Sequence, residues 1–195
     1  MALKCHILNN NLQIFKMEKI TKLFLSAILV FAVSAFTILL FNWNIDPSYS
    51  IKFSGSKAEG TFSGLAGKIS FNPNDLANSL IDVSVNANTI KTGNSTKDGH
   101  AKGEDWFNVA KYPIIKFTSQ SFTKSADAFV VSGTLELHGT KRQIQILFTY
   151  SGVGTKGLFV GSFKLNRKDY GINGNLFGFT VGKEFAVTLN IPVTK

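Results

Sequence analysis

The stretch 131–148, VSGTLELHGTKRQIQILF, alternates apolar and polar residues in two runs that flank a short glycine-containing turn. Successive side chains of a β-strand point to opposite faces, so each run predicts a strand that is buried on one face only. The polar face of the first run carries Glu136 and His138, and residues 138–142 are predicted to form the turn. We interpret Glu136 and His138 as the solvent-exposed side of this hairpin. Its buried side is predicted to comprise Leu135, Leu137, Ile144, Ile146 and Phe148.

The same alternation recurs along the chain from residue 50 onward. Eight or nine short strands, with turn residues between them and no regular exchange of strands with helices, predict an all-β sandwich or barrel. Only the segment 91–113, KTGNSTKDGHAKGEDWFNVAKYP, lacks alternation, and it is predicted to hold one or two helical turns. Besides the hairpin, strands are predicted at 50–54, 60–65, 68–71, 81–87, 115–121, 159–165 and 185–191.

An uncharged apolar run, LFLSAILVFAVSAFTILLF at 23–41, follows Lys16, Lys19 and Lys22. Its length just spans a hydrocarbon core of about 30 Å, which predicts an apolar helix that anchors the chain in the membrane. It also fits a signal peptide that is cleaved after the small residues 33–35, with Met17 as an alternative start. In both cases the lysines precede the apolar run, so the remainder is predicted to cross the membrane and to be exported. The predicted organisation is a leader or anchor at 1–41 and one domain at 42–195.

Charge and cysteine content narrow the chemistry of the predicted domain. The formal net charge is +9, but the charges of residues 42–195 are scattered along the chain. A nucleic-acid-binding protein concentrates basic residues on one face, so no nucleic-acid partner is predicted. The only cysteine is Cys5, which precedes the apolar run. The domain therefore has neither disulfides nor thiolate chemistry and depends on its apolar core.

Phenylalanine is the abundant aromatic residue, with 13 of the 18 lying in residues 42–195. Most of them fall on the predicted buried faces, and each large ring needs an apolar environment. The rings either pack against each other and fill a sandwich, or they line a barrel wide enough for one apolar ligand. The sequence pattern leaves both alternatives open. The buried-face rings are Phe53, Phe62, Phe71, Phe117, Phe148, Phe163 and Phe185.

Five motifs in order resemble those of the YceI-like family over residues 43–193. They are WNID with SIKF at 43–53, GTFSG at 60–64, KDGH, DWFN and KYPIIKF at 97–117, GTLELHGTK at 133–141, and RKDYGI at 167–172. The resemblance implies an exported bacterial protein with a lipocalin-like antiparallel β-barrel of about eight strands. It also implies that the lumen binds a long isoprenoid chain or a similar amphiphile without turnover. The chain departs from the family pattern at Tyr49, where a histidine usually stands.

On this resemblance, we expect a carrier whose ligand-binding residues face the lumen or border its entrance. His100, Lys97 and Lys102 are candidates to contact a polar head group, and Trp106 with Phe107 forms a lid or plugs the barrel end. Arg167 and Asp169 are expected to pair across a turn that ends at Gly171, in a structural role. The predicted ligand-binding residues are Phe53, Phe62, Phe71, Phe117, Leu135, Leu137, Ile146, Phe148, Phe163, Phe185, His100, Trp106 and Phe107.

Two other functions are weighed against the carrier. One is a lipid-modifying enzyme that uses His100 with Asp98 or Glu104. No G-x-S-x-G motif is present, and the acidic residues near His100 do not form a matched metal-ligand set, so no catalytic residue, metal or cofactor is predicted. The other is an interaction module, tethered to the membrane through 23–41, whose sandwich core is filled and whose outer face is apolar.

Overall fold

The computed structural model describes residues 42–174 and 181–195. The predicted leader and its apolar helix therefore lie outside the described residues, as do residues 175–180. Among the helices within the described ranges, none is long and apolar enough to cross a membrane.

Ten strands and one short α-helix make up the described part of the chain. Helix α1 spans Ser95–Lys102, and single 3₁₀ turns lie at Ala87–Thr89 and Arg167–Tyr170. The strands are β1 Asn42–Ile45, β2 Ser50–Gly55, β3 Ala58–Phe62, β4 Ala66–Ser70, β5 Leu80–Asn86, β6 Ile114–Ser125, β7 Ala128–Leu137, β8 Thr140–Val153, β9 Lys156–Asn166 and β10 Glu184–Thr194.

All strand pairs are antiparallel, and they close into a ring. The ring follows the order β1-β4-β5-β6-β7-β8-β9-β10, and β1 pairs again with the end of β10. Strand β2 pairs with the first half of β10, and β3 pairs with β2. β1 and β2 thus act as two halves of one barrel strand, and β3 and β4 act as two halves of the next. The fold is a closed eight-stranded antiparallel barrel, which confirms the predicted fold class.

The two interrupted strands are held side by side at their breaks. Between β1 and β2, the Asp46 carboxylate accepts hydrogen bonds from the Ser48 N–H and hydroxyl at 2.9 and 2.7 Å, which forms a tight turn. Between β3 and β4, the Leu65 N–H donates to the Tyr49 hydroxyl at 2.8 Å. Tyr49, the residue that departs from the family pattern, therefore joins the two breaks.

Strand β7 shows the alternation that the sequence predicted, since its buried and partly exposed residues alternate along its whole length. Glu136 lies on the outer face, 3.6 Å from the Lys141 ammonium group. His138 is not a strand residue, because the turn begins at this position, as predicted, and consists of His138 and Gly139 alone, both with positive φ. Its ring packs on Tyr112, and its Nδ1 lies 3.1 Å from the Tyr170 carbonyl oxygen. The prediction that His138 is solvent-exposed is therefore wrong.

Helix α1 confirms the helical turns predicted within 91–113. Its N-cap is Asn94, whose side chain accepts a hydrogen bond from the Lys97 N–H at 3.0 Å. Asp98 in its first turn accepts hydrogen bonds from both the N–H and the hydroxyl of Thr92, at 2.7 and 2.8 Å. The Asp98 carboxylate also lies 3.2 Å from the Lys91 ammonium group. These contacts fix the helix to the segment that precedes it.

One end of the barrel, which we call the base, is filled by aromatic rings. Phe71, directly after β4, is 1% exposed and lies at its centre. The Trp43 indole N–H donates to the Phe71 carbonyl at 3.1 Å, which ties β1 to this end. The rings of Phe122, Phe129, Phe148, Tyr150 and Phe159 have centroids 5.2–5.8 Å from that of Phe71.

Candidate ligand-binding cavity

A cavity of about 990 Å³ occupies the barrel between the base and the opposite end. We call that opposite end, formed by the β2–β3 turn, helix α1 and the start of the 3₁₀ turn at Arg167–Tyr170, the mouth. At roughly 30 Å³ per water-sized group, the cavity has room for about thirty such groups. The interior is hollow, so the alternative of a filled sandwich core is wrong.

The cavity walls are the inward faces of the strands. Because the walls follow strand parity, the inward residues of β10 that line the cavity are every second one, namely Phe185, Val187, Leu189 and Ile191. Twelve of the thirteen predicted ligand-binding residues line the cavity, and their role in binding stays a prediction. These are Phe53, Phe62, Phe117, Leu135, Leu137, Ile146, Phe148, Phe163, Phe185, His100, Trp106 and Phe107.

Phe71 is the predicted residue that does not line the cavity. The alternation of strand side chains placed Phe71 correctly in the interior, but it gives no information about the position of a residue along the barrel axis. Phe71 follows the last residue of β4 at the base, where neighbouring rings surround it. Phe148 and Phe159 belong to the base cluster and also border the cavity, so they form its floor.

Of the aliphatic wall, only Leu135, Leu137 and Ile146 were predicted as binding residues. The signal for the others was present, since they occupy the same alternating positions as the phenylalanines, but outside the hairpin the prediction named only aromatic residues on the strands. The unpredicted aliphatic wall residues of β4, β5, β9 and β10 are Ile69, Ile81, Val83, Val85, Leu165, Val187, Leu189 and Ile191.

Among the described residues that line the cavity, those with charged side chains lie at the mouth. Lys57, Lys97 and His100 line it there and are exposed, so the cavity reaches the protein surface. Lys102, the third predicted head-group candidate, does not line the cavity. Phe107 packs against Phe62 with centroids 5.5 Å apart, so it forms part of the wall near the mouth.

The residues of the enzyme alternative are not assembled into a catalytic group. The Asp98 carboxylate is engaged by Thr92 and Lys91. The hydrogen bonds from the Thr92 N–H and hydroxyl lower the pKa of Asp98 from its usual value. Within residues 42–174 and 181–195, the His100 ring has no hydrogen bond. In the same ranges, no group of three His, Cys, Asp or Glu side chains is arranged to hold a metal ion.

Arg167 is a candidate ligand-binding residue that the sequence interpretation did not name as one. The expected ion pair between Arg167 and Asp169 is not formed. Arg167 is one of the residues that line the cavity, and its guanidinium donates to three backbone carbonyls, those of Ile172 at 2.6 Å, Gly182 at 3.1 Å and Val181 at 3.2 Å.

The same guanidinium lies over the Trp106 ring at 5.0 Å, and burial lowers the pKa of Arg167. The turn that follows does end in the left-handed conformation at Gly171, with φ 74°, as predicted.

Comparisons with known proteins agree on one fold. The model of the YceI-like domain matches residues 43–193. A UPF0312 protein of Photorhabdus laumondii is 28% identical over 158 residues, which cover 74% of this chain and 82% of the relative. BcnA of Burkholderia cenocepacia superposes with a TM-score of 0.73 at 19% identity, covering 77% of this chain and all of BcnA. A polyisoprenoid binding domain from Saccharophagus degradans, implicated in plant cell wall breakdown, superposes with a TM-score of 0.61 at 17% identity, covering 80% and 98%.

Proposed function

Because this chain belongs to the YceI-like family, we propose that it is a carrier that holds an isoprenoid-like lipid in the barrel cavity without turning it over. The observation that carries the proposal is the cavity itself, which is closed by rings at the base, apolar along its walls and open at the mouth. The polyisoprenoid binding domain of Saccharophagus degradans shares this fold and supports the choice of lipid.

Burial of the hydrocarbon chain is enough to account for binding. Each buried CH₂ group contributes about 0.8 kcal/mol, so a twenty-carbon chain gains roughly 16 kcal/mol before costs. Association costs about 4–15 kcal/mol in lost freedom, and part of the gross gain remains. A cavity with room for about thirty carbon-sized groups accommodates such a chain. A ligand that is bound through the burial of its apolar surface needs no reactive side chain in the cavity wall.

We also propose that the carrier works in the periplasm. Lys16, Lys19 and Lys22 precede the apolar run at 23–41, and this order favours transfer of residues 42–195 across the membrane. Fractionation of cells with an antibody against the barrel domain tests this point, and recovery in the cytoplasm would contradict it.

The test of lipid carriage is native mass spectrometry of the protein purified gently from its host, followed by lipid extraction. We expect a complex whose extra mass matches a polyprenyl species. Protein that carries no lipid after gentle purification, and that takes up none when incubated with polyprenyl lipids, would refute the proposal.

Two substitutions on one strand give a matched comparison. Phe163 lines the cavity and Ser162, its neighbour on β9, is exposed on the outer face. Phe163→Asp places a charge against the hydrocarbon chain, so we expect lipid retention to be lost. Ser162→Asp should retain lipid, and so should His138→Ala, because His138 lies outside the cavity. Circular dichroism checks that each variant is folded.

A further inference from the structure

Arg167 is a buried cation without a nearby carboxylate. Its residue is 9% exposed, and in the described part of the chain no Asp or Glu oxygen lies within 4.0 Å of its guanidinium. The neighbouring segment 175–180, NLFGFT, contains no acidic residue that would supply one. Among the described residues, the positive charge of Arg167 is therefore compensated by carbonyl dipoles and by the face of Trp106, and by no carboxylate.

The guanidinium keeps hydrogen-bonding capacity for a ligand. It has five N–H donors, and the three carbonyls of Ile172, Val181 and Gly182 use three of them. Arg167 is among the residues that line the cavity, which places it next to a ligand bound there. A planar guanidinium matches carboxylate and phosphate oxygens and binds them more strongly than it binds neutral acceptors.

The mouth as a whole has a surplus of positive charge. Lys57 and Lys97 line it together with Arg167, and Glu59 is the acidic residue that lines it in the described part of the chain. Neither lysine belongs to the ion pairs found among the described residues. An apolar cavity that ends in uncompensated cations is complementary to a lipid that ends in an anion.

We propose that Arg167 binds the head group of an anionic amphiphile, with Lys57 and Lys97 adding long-range attraction at the mouth. This inference rests on the proposed lipid carriage and specifies its ligand class. A phosphate-type or carboxylate oxyanion at the end of the chain supplies the countercharge that Arg167 lacks. The hydrocarbon chain then extends from the mouth toward the ring floor at Phe148 and Phe159.

A purely structural role for Arg167 makes a different prediction. The carbonyls that it binds belong to Ile172 on one side of residues 173–180 and to Val181 and Gly182 on the other, so Arg167 also joins the two ends of this connection. If that were its whole role, its substitution would weaken the binding of charged and neutral lipids by the same factor.

The experiment compares two twenty-carbon probes, geranylgeranyl phosphate and the neutral alcohol geranylgeraniol, with the delipidated protein. We expect the wild type to bind the phosphate at least about tenfold more tightly, as charge-assisted hydrogen bonds imply. We expect this preference to fall as NaCl is raised from about 50 to 500 mM, because salt screens the lysines at the mouth. Arg167→Gln should bring the ratio close to one while the affinity for the alcohol stays within about threefold.

Three outcomes would overturn the inference. Equal affinity of the wild type for the two probes would refute it and leave the carrier function intact. A parallel loss of both affinities in Arg167→Gln would assign Arg167 a structural role alone. Binding of neither probe would refute the carrier function and the inference together. If Arg167→Gln does not fold, the affinity ratio of the wild type and its salt dependence still decide the question. The exposed-site variant Lys97→Gln, which we expect to lower this ratio, then serves as the second variant.

Discussion

Truncation of a ring at the base should cost far more stability than truncation of a ring in the cavity wall. Phe71 is 1% exposed and contacts five aromatic rings at centroid distances of 5.2–5.8 Å. Replacing such a residue by alanine leaves a void that the surrounding rings cannot fill, and the loss is about 3–5 kcal/mol. For a domain of this size, this loss corresponds to a fall in Tm of about 6–20 °C.

Phe163 is the matched wall residue. Its side chain is partly buried, borders the cavity and has no ring partner among the described residues. Phe163→Ala therefore removes packing contacts on one side of the ring only. Since a fully buried Phe contributes about 1.5–3 kcal/mol, we expect the free energy of unfolding to fall by about 1 kcal/mol. The expected fall in Tm is about 2–4 °C.

The measurement is urea unfolding of the delipidated wild type, Phe71→Ala and Phe163→Ala, followed by circular dichroism. Equal m-values for the three proteins show that their midpoints can be compared directly. A loss in Phe163→Ala that equals the loss in Phe71→Ala would mean that the wall ring is packed on all sides. That result would refute the hollow interior from which the carrier function is argued.

Two further predictions concern stability: the first compares two glycines, and the second concerns the pH dependence that Asp98 causes. A Cβ at Gly133 would lie 2.4 Å from the Thr118 carbonyl oxygen and 2.7 Å from the Phe117 ring, so Gly133→Ala should destabilise the barrel by more than about 1 kcal/mol. Gly99 lies in helix α1 with open space around it, so Gly99→Ala should instead stabilise the protein by up to about 1 kcal/mol. Thermal melts in which Gly133→Ala and Gly99→Ala shift the Tm equally would contradict this prediction. The pKa of Asp98 is lowered in the folded protein, so its contribution is complete above the unfolded-state pKa of about 3.9 and is lost as pH falls through the lower folded value. Unfolding free energies of the wild type and Asp98→Asn should therefore differ at pH 7 and converge in acid, and a gap that does not change with pH would exclude this linkage.

The alternating pattern was sufficient to predict strands β2 to β10 and their faces, but it missed β1 at Asn42–Ile45, which precedes the first predicted strand. Glu136 on the outside and Leu135 and Leu137 on the inside follow from the two-residue period of an extended chain, which does not depend on the rest of the fold. The same rule placed Phe71 inside but did not place it along the barrel axis. It also failed at His138, because the turn begins there and the backbone leaves the extended conformation.

The sequence by itself determined the all-β class, the helical interruption at 91–113 and the side of the sheet on which each ring lies. Only the tertiary structure decided that the sheet closes, because closure depends on pairing between Asn44 and Thr194 at opposite ends of the domain. It also decided that the interior is hollow, since the free volume depends on how the strands are arranged around it and not on any local pattern. The position of Arg167 has the same origin, because the carbonyls of Val181 and Gly182 reach it only through the path of the chain between β9 and β10.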